Sequence, residues 1–255
     1  SICATGFAVA GVHAFALLKT GHHMGHKSAI LIALLFGAPA AVVMPLSGDF
    51  VAKQTAKHQP LKLAAMEAHF ETESYAPLIV GGIPDPVTET VDYAIKIPGL
   101  LSFLAFGDFS AEVKGLNEFP KEEWPPLKLT HFAFQIMVGL GSFLAAISIF
   151  LVFMWWRRRE DFLRPNILKL LCLLTPLGFL AIEAGWCVTE LGRQPWIIYG
   201  IMKTRDALTP MPGLFFTLTY YILLYTTLIL VVAWLMLRQV RVFNTNAVAR
   251  GDRND

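Results

Sequence analysis

Five apolar stretches constrain this chain more than anything else in it. Residues 1–18, 28–47, 131–156, 166–190 and 212–237 carry almost no charge, and each comes near the ~20 residues that an α-helix needs to cross a bilayer. Inside lipid the backbone must satisfy its own hydrogen bonds, so such stretches are read as helices. The expected fold is an all-α, polytopic membrane bundle of about five transmembrane helices with one long extracytoplasmic loop. Residues 1–47 would supply two helices, 48–130 the loop, 131–238 three more helices, and 239–255 a cytoplasmic tail. The chain opens inside its first apolar stretch, at Ser1-Ile2-Cys3-Ala4, with no initiator Met, basic leader or cleavage site. It is therefore expected to be incomplete at its start.

Orientation follows from the basic residues of the short connections. Lys19 and Lys27, then Arg157, Arg158, Arg159 and Arg164, then Arg238, Arg241, Arg250 and Arg253 fall on one side of a five-span chain. That side is expected to be cytoplasmic, with residues 48–130 outside. Trp155 and Trp156, just before Arg157, read as an interfacial anchor. The net charge of +2 favours no class of partner, and no basic run is interleaved with aromatics, so nucleic acid is not expected. Cys3, Cys172 and Cys187 lie in apolar runs without CxxC spacing and read as small hydrophobes.

Ionisable groups at membrane depth are costly and mark function. Glu183 and Glu190 close the fourth apolar stretch, which is expected to kink at Pro176. Seven residues apart, the two carboxylates share a helix face about 10 Å apart along the axis. Trp186 and Cys187 fall on that face as well, so the stripe is expected to look into protein. Gly192-Arg193-Gln194-Pro195-Trp196 follows at once. From the residues alone, Glu190 could equally be a helix-end carboxylate paired with Arg193. In the loop, Lys62 and Glu67 stand five apart in Gln59-Pro60-Leu61-Lys62-Leu63-Ala64-Ala65-Met66-Glu67, a segment of helical composition. They could reach one ligand from adjacent angles, or lie on a solvated amphipathic helix. His69 is placed to help a proton leave outward. In the third stretch, Gln135-Ile136-Met137-Val138-Gly139-Leu140-Gly141 puts a thioether beside two glycines, which is core filler or an axial haem ligand with room for a flat ring. His22, His23 and His26 are read as solvated, and His13 as an ordinary helix residue.

Taken together, Gly185-Trp186-x-x-x-Glu190-x-Gly192-Arg193-Gln194-Pro195-Trp196, the Lys62/Glu67 segment and the Met137 segment resemble subunit I of the cytochrome bd quinol oxidases, in the family's order. The resemblance extends from about residue 5 to residue 240. The compact loop is similar to the short-loop branch. The resemblance implies that Lys62 and Glu67 contact the quinol, ubiquinol or menaquinol, where it is oxidised. It implies that Met137 ligates a low-spin haem b and Glu190 a high-spin haem b, with Trp186, Arg193 and Trp196 shaping the pocket. A haem d, or a b haem in its place, would reduce O2 to water, with its ligand outside this sequence. Gln135 departs from the family, where Arg is common, which bears on its contact to the low-spin haem. Partners implied are a second membrane subunit, small accessory subunits and the bilayer, which by the resemblance would be a bacterial inner membrane. The chain alone would be inactive. Turnover would generate a proton-motive force without pumping. The competing class is an ion-coupled transporter using Glu183 and Glu190, which would need paired broken helices in symmetric halves; no such repeat is visible.

Overall fold

The computed structural model describes residues 1–20, 24–157, 159, 162–208 and 211–251, with side chains through 239 except those of Thr20 and Met24. His22, His23, Arg158 and the side chains of Arg241, Arg250 and Arg253 lie outside what is described. Residues up to Ala207 form one unit and those from Leu208 another.

The first unit holds four candidate spans. Helix α1 covers Ile2–Thr20, α2 Met24–His58 and α5 Leu127–Arg157, while α6 (Pro165–Leu174) and α7 (Leu177–Leu191) together form the fourth. The break at Thr175-Pro176 is the expected kink: Pro has no N–H to give, and the last turn of α6 closes through Thr175 N–H to the Cys172 carbonyl. Helix α2 runs through Pro39 and Pro45 and continues beyond residue 47 to His58. Residues 48–58 are polar, so hydropathy does not mark them as helix. They are nevertheless largely good helix formers, and Asp49 and Lys53 pair at 2.6 Å one turn apart. Pro60 then ends the helix.

Small residues bring these helices together, as packing in lipid requires. A Cβ on Gly6 would lie 2.6 Å from the Gly37 Cα, and one on Gly178 2.6 Å from the Ala4 Cα. Around these crossings Phe7, Ile30, Leu144, Leu171 and Leu174 are fully buried.

The loop between α2 and α5 is ordered throughout and is not wholly helical. Helix α3 (Pro60–Glu67) is followed by β1 (Glu73–Ser74), β2 (Leu78–Val80), β3 (Ile83–Asp85), β4 (Thr90–Asp92) and β5 (Ile95–Ile97). Helix α4 (Leu100–Phe106) and β6 (Glu112–Val113) complete it. The strands pair antiparallel as β1 with β6, β2 with β5 and β3 with β4. Two apolar clusters hold the loop to the bundle. Leu61, Phe70 and Leu116 pack with Leu127 of α5, and Leu63, Met66, Leu101 and Val113 with Val188 of α7. Each fully buried leucine is worth about 1.5–3 kcal/mol, so the loop sits firmly on the ends of α5 and α7. Beyond α7, β7 (Trp196–Ile198) and β8 (Met202–Lys203) form a short hairpin. The second unit is a single long helix, α8 (Leu214–Gly251), apolar over Leu214–Gln239.

Candidate functional site

Helix α3 is placed by its two ends. Gln59 precedes it and Pro60 takes its first turn, where a missing N–H costs nothing. At its C-terminus Ala68 adopts a left-handed conformation (φ 51°), and the His69 N–H closes the turn on the Ala64 carbonyl at 2.9 Å. This reversal carries the chain away directly after Glu67.

Lys62 points toward the end of α7. Its side chain packs against Gly192, where a Cβ would lie 3.2 Å from Lys62 Cε. Lys62, Gln59, Gly192, Arg193, Gln194 and Trp196 line a cavity of about 230 Å³ with Tyr199. Burial, and then the Arg193 cation, push the Lys62 ammonium below its ordinary range, while Glu190 pulls it back. Arg193 forms an ion pair with Glu190 one turn earlier. The Arg-Gln-Pro-Trp turn is anchored by Thr204, which donates through Oγ1 to Gln194 Oε1 at 2.7 Å and through its N–H to the Pro195 carbonyl at 2.8 Å. Lys203 lies 4.9 Å over the Trp196 ring and also pairs with Glu123 at 2.8 Å, tying the hairpin to the loop.

Glu67 does not line that cavity. Five residues on a helix correspond to about 140° of rotation, so Lys62 and Glu67 leave α3 on different sides. The structure does not bring the two into one cavity, as reaching one ligand from adjacent angles would need. Glu67 is only 5% exposed and its Oε2 has no partner among the described residues. Burial pushes its carboxyl up to about 8. His69 is buried too, and its Nε2 also lacks a partner.

Two residues of α5 hold the loop, and sequence reasoning passed over one of them. His131, fully buried, sets Nδ1 2.8 Å from the Met66 carbonyl and Nε2 3.2 Å from the Gly81 carbonyl. One turn on, Gln135 donates through Nε2 to the Ile79 carbonyl at 2.8 Å and accepts from the Gly81 N–H at 3.3 Å. The amide of Gln135 is thus engaged with loop backbone. The signal for His131 was a polar ring opening an otherwise apolar run.

Met137, farther along α5, sits in the seam with α7: a Cβ on Gly185 would lie 3.0 Å from its sulfur. A Cβ on Gly139 would meet nothing within 4 Å, whereas one on Gly141 would touch Met44 of α2. Gly141 thus serves helix packing, and Gly139 opens onto free space. Trp186 is 63% exposed, and Glu183 and Cys187 are exposed as well, so the stripe expected to look into protein faces outward from this chain. His26 pairs with His13 across α1 and α2, Nδ1 to Nδ1 at 2.8 Å.

The residues present fit a haem. The Met137 thioether in an interhelical seam, and a carboxylate at a helix end beside an arginine, are suitable axial donors. The model of the cytochrome bd terminal oxidase subunit I family matches residues 1–243. The chain belongs to this family. It is 40% identical over 228 residues to a Bacillus subtilis chain provisionally named cytochrome bd menaquinol oxidase subunit I, covering 85% of this chain and 51% of that one. It is 33% identical over 255 residues to the Bacillus subtilis cytochrome bd ubiquinol oxidase subunit 1, covering 93% and 54%. The structure of the bd oxidase from Geobacillus thermodenitrificans superposes with a TM-score of 0.80 at 37% identity, covering 94% of this chain and 55% of that one. The chain thus spans about half the length of these relatives. Membership of this family, with its helical membrane fold, bears out the resemblance and does not favour a transporter.

Proposed function

We propose that this chain is the quinol-oxidising, haem-carrying part of a membrane quinol:oxygen oxidoreductase. The observation that carries the reading is the junction of α3 with the end of α7, where Lys62 lines one cavity with Arg193, the ion-pair partner of Glu190. The loop that would hold quinol is thereby packed directly on the helix that would hold a haem.

Met137 would ligate the low-spin haem b and Glu190 the high-spin haem b, with Arg193, Trp186 and Trp196 around them. Bound haem supplies one-electron acceptance and, at a haem d or b, the reduction of oxygen to water. The chain's own residues handle the substrate and its protons. Lys62 donates a hydrogen bond to a quinol oxygen in the cavity it lines, while Glu67, which lies outside that cavity, takes a hydroxyl proton as carboxylate after its side chain turns toward the bound quinol. His131 and Gln135 hold the loop in place over α5. With the loop on the outer side of a bacterial inner membrane, protons leave outside and are consumed from inside, so turnover charges the membrane without a pump. The rest of a relative-length subunit and a second subunit complete the enzyme, and the 255-residue chain alone is expected to be inactive.

The test is a reduced-minus-oxidised visible spectrum of membranes holding the full-length subunit and its partner. Met137→Leu should remove the low-spin b signal and Glu190→Ala the high-spin one. A parent without haem bands would overturn the reading.

A further inference from the structure

The loop carries a series of titratable residues of which the proposed function uses only the first. Glu67, His69, Glu71 and Glu73 occupy every second position. Glu67 is 5% and His69 3% exposed, whereas Glu71 and Glu73 are exposed. The series therefore leads from the interior to the surface within a short stretch of chain.

Its buried half is chemically unusual. Buried polar atoms are nearly always paired, yet Glu67 Oε2 and His69 Nε2 have no partner among the described residues. The His69 ring is hydrogen-bonded to the Val113 backbone, a contact that favours its protonated form. Since Nε2 is bare, that bond belongs to Nδ1, and the neutral ring keeps a free lone pair at Nε2. The two atoms are not bonded to each other either, so both side chains are free to turn, gain a proton and lose it rather than being held in a structural hydrogen bond. The charges around His69 fit a transient carrier. Burial disfavours its cation most, Glu73 and Glu71 favour it, and Lys96 opposes it. A proton arriving there is held weakly and drawn toward the acidic surface.

We infer that His69 is the proton acceptor behind Glu67: the carboxyl hands on to His69 Nε2 the proton it takes from a quinol hydroxyl, and the imidazolium releases it beside Glu71 and Glu73. The inference rests on the quinol-oxidising reading above. Each passage moves one proton. The quinol O–H breaks as an O–H forms on Glu67, and that O–H breaks as an N–H forms on His69. Loss of one proton to solvent restores both side chains. The quinol's electrons do not travel this way.

The experiment uses the full-length subunit with its partner subunit in membranes, assayed with ubiquinol-1 and menaquinol-1 in parallel across pH. His69→Gln should lower kcat about 10-fold or more, with quinol KM and haem spectrum unchanged. It should also remove the part of the acidic fall-off that lies below the range in which Glu67 gives up its proton, where a protonated His69 cannot accept, and leave the Glu67 climb in place. Added imidazole should restore part of the rate. The exposed double variant Glu71→Gln/Glu73→Gln should lower kcat by a smaller factor, most clearly at low salt. Parental kcat and pH profile in His69→Gln overturn the inference. If that variant loses its haem bands, the double variant decides, and parental behaviour there overturns it. No quinol turnover in the parent, or a parental rate in Glu67→Gln, sinks the underlying reading. A loss in Glu67→Gln without one in His69→Gln sinks only the route.

Discussion

At the scale of single residues, Lys62 and Glu67 are set apart by their surroundings. Lys62 lines a cavity with Arg193 and feels the Glu190 charge, so in the proposed function its part is to bind. A hydrogen bond from a charged donor is worth about 1.5–3 kcal/mol. Lys62→Met should therefore raise the quinol KM about 10- to 100-fold while leaving kcat nearly unchanged, as steady-state kinetics would show. Burial pushes the Glu67 carboxyl from the ordinary 4.5 up to about 8, so in the proposed function its part is to take a proton. Only its carboxylate can accept, so quinol oxidation should climb as pH rises toward 8, and Glu67→Gln should remove both that climb and most of kcat. Stability runs the other way. Between pH 4.5 and 8 the unfolded chain has released a proton that the folded chain still holds, so the loop loses stability as pH rises through that window and levels off above it. Glu67→Gln should flatten the dependence, measured as thermal unfolding in detergent against pH. A variant that keeps the parental slope would mean that another group causes it.

At the scale of elements, the clamp of α5 on the loop and the close crossings of α1 each make a testable claim. Gln135→Leu removes two hydrogen bonds to the backbone at Ile79 and Gly81 and leaves the part-buried Ile79 carbonyl without its donor, at a cost of about 1–3 kcal/mol. Hydrogen exchange at residues 78–82 should accelerate while the helices keep their protection. Gly6→Val should press on the Gly37 backbone and cost about 1–3 kcal/mol by overpacking, seen as a lower melting temperature of the purified protein. The long helices were legible in the sequence because lipid leaves so few other conformations for an apolar run. The end of α2 was not, because residues 48–58 combine polarity with good helix-forming residues. The strands of the loop were not, because two or three residues carry too little periodicity to read. The separation of Lys62 from Glu67 was legible in principle, since a spacing of five cannot share a helix face. What the sequence withheld was burial: nothing in Glu67-Ala68-His69 says that both ionisable side chains are covered.

At the scale of the whole molecule, the outward face of α7 poses a problem that this chain alone does not solve. Glu183 lies in an apolar helix and is exposed, with Trp186 and Cys187 beside it. A carboxylate facing hydrocarbon costs about 2.5–3.5 kcal/mol by insertion measurements. Such groups usually face a bundle interior, and the relatives are about twice as long as this chain. The face should therefore be covered once the remaining length of a relative is present. Two measurements of Glu183→Leu separate the cases. In the 255-residue chain, purified by itself in detergent, removing a charge from an uncovered apolar surface should raise the melting temperature. In the full-length assembly the same substitution removes a polar group from a closed interior and should lower it. A rise in both would mean that the face meets lipid throughout. A fall in both would mean that Glu183 already has a partner within these residues.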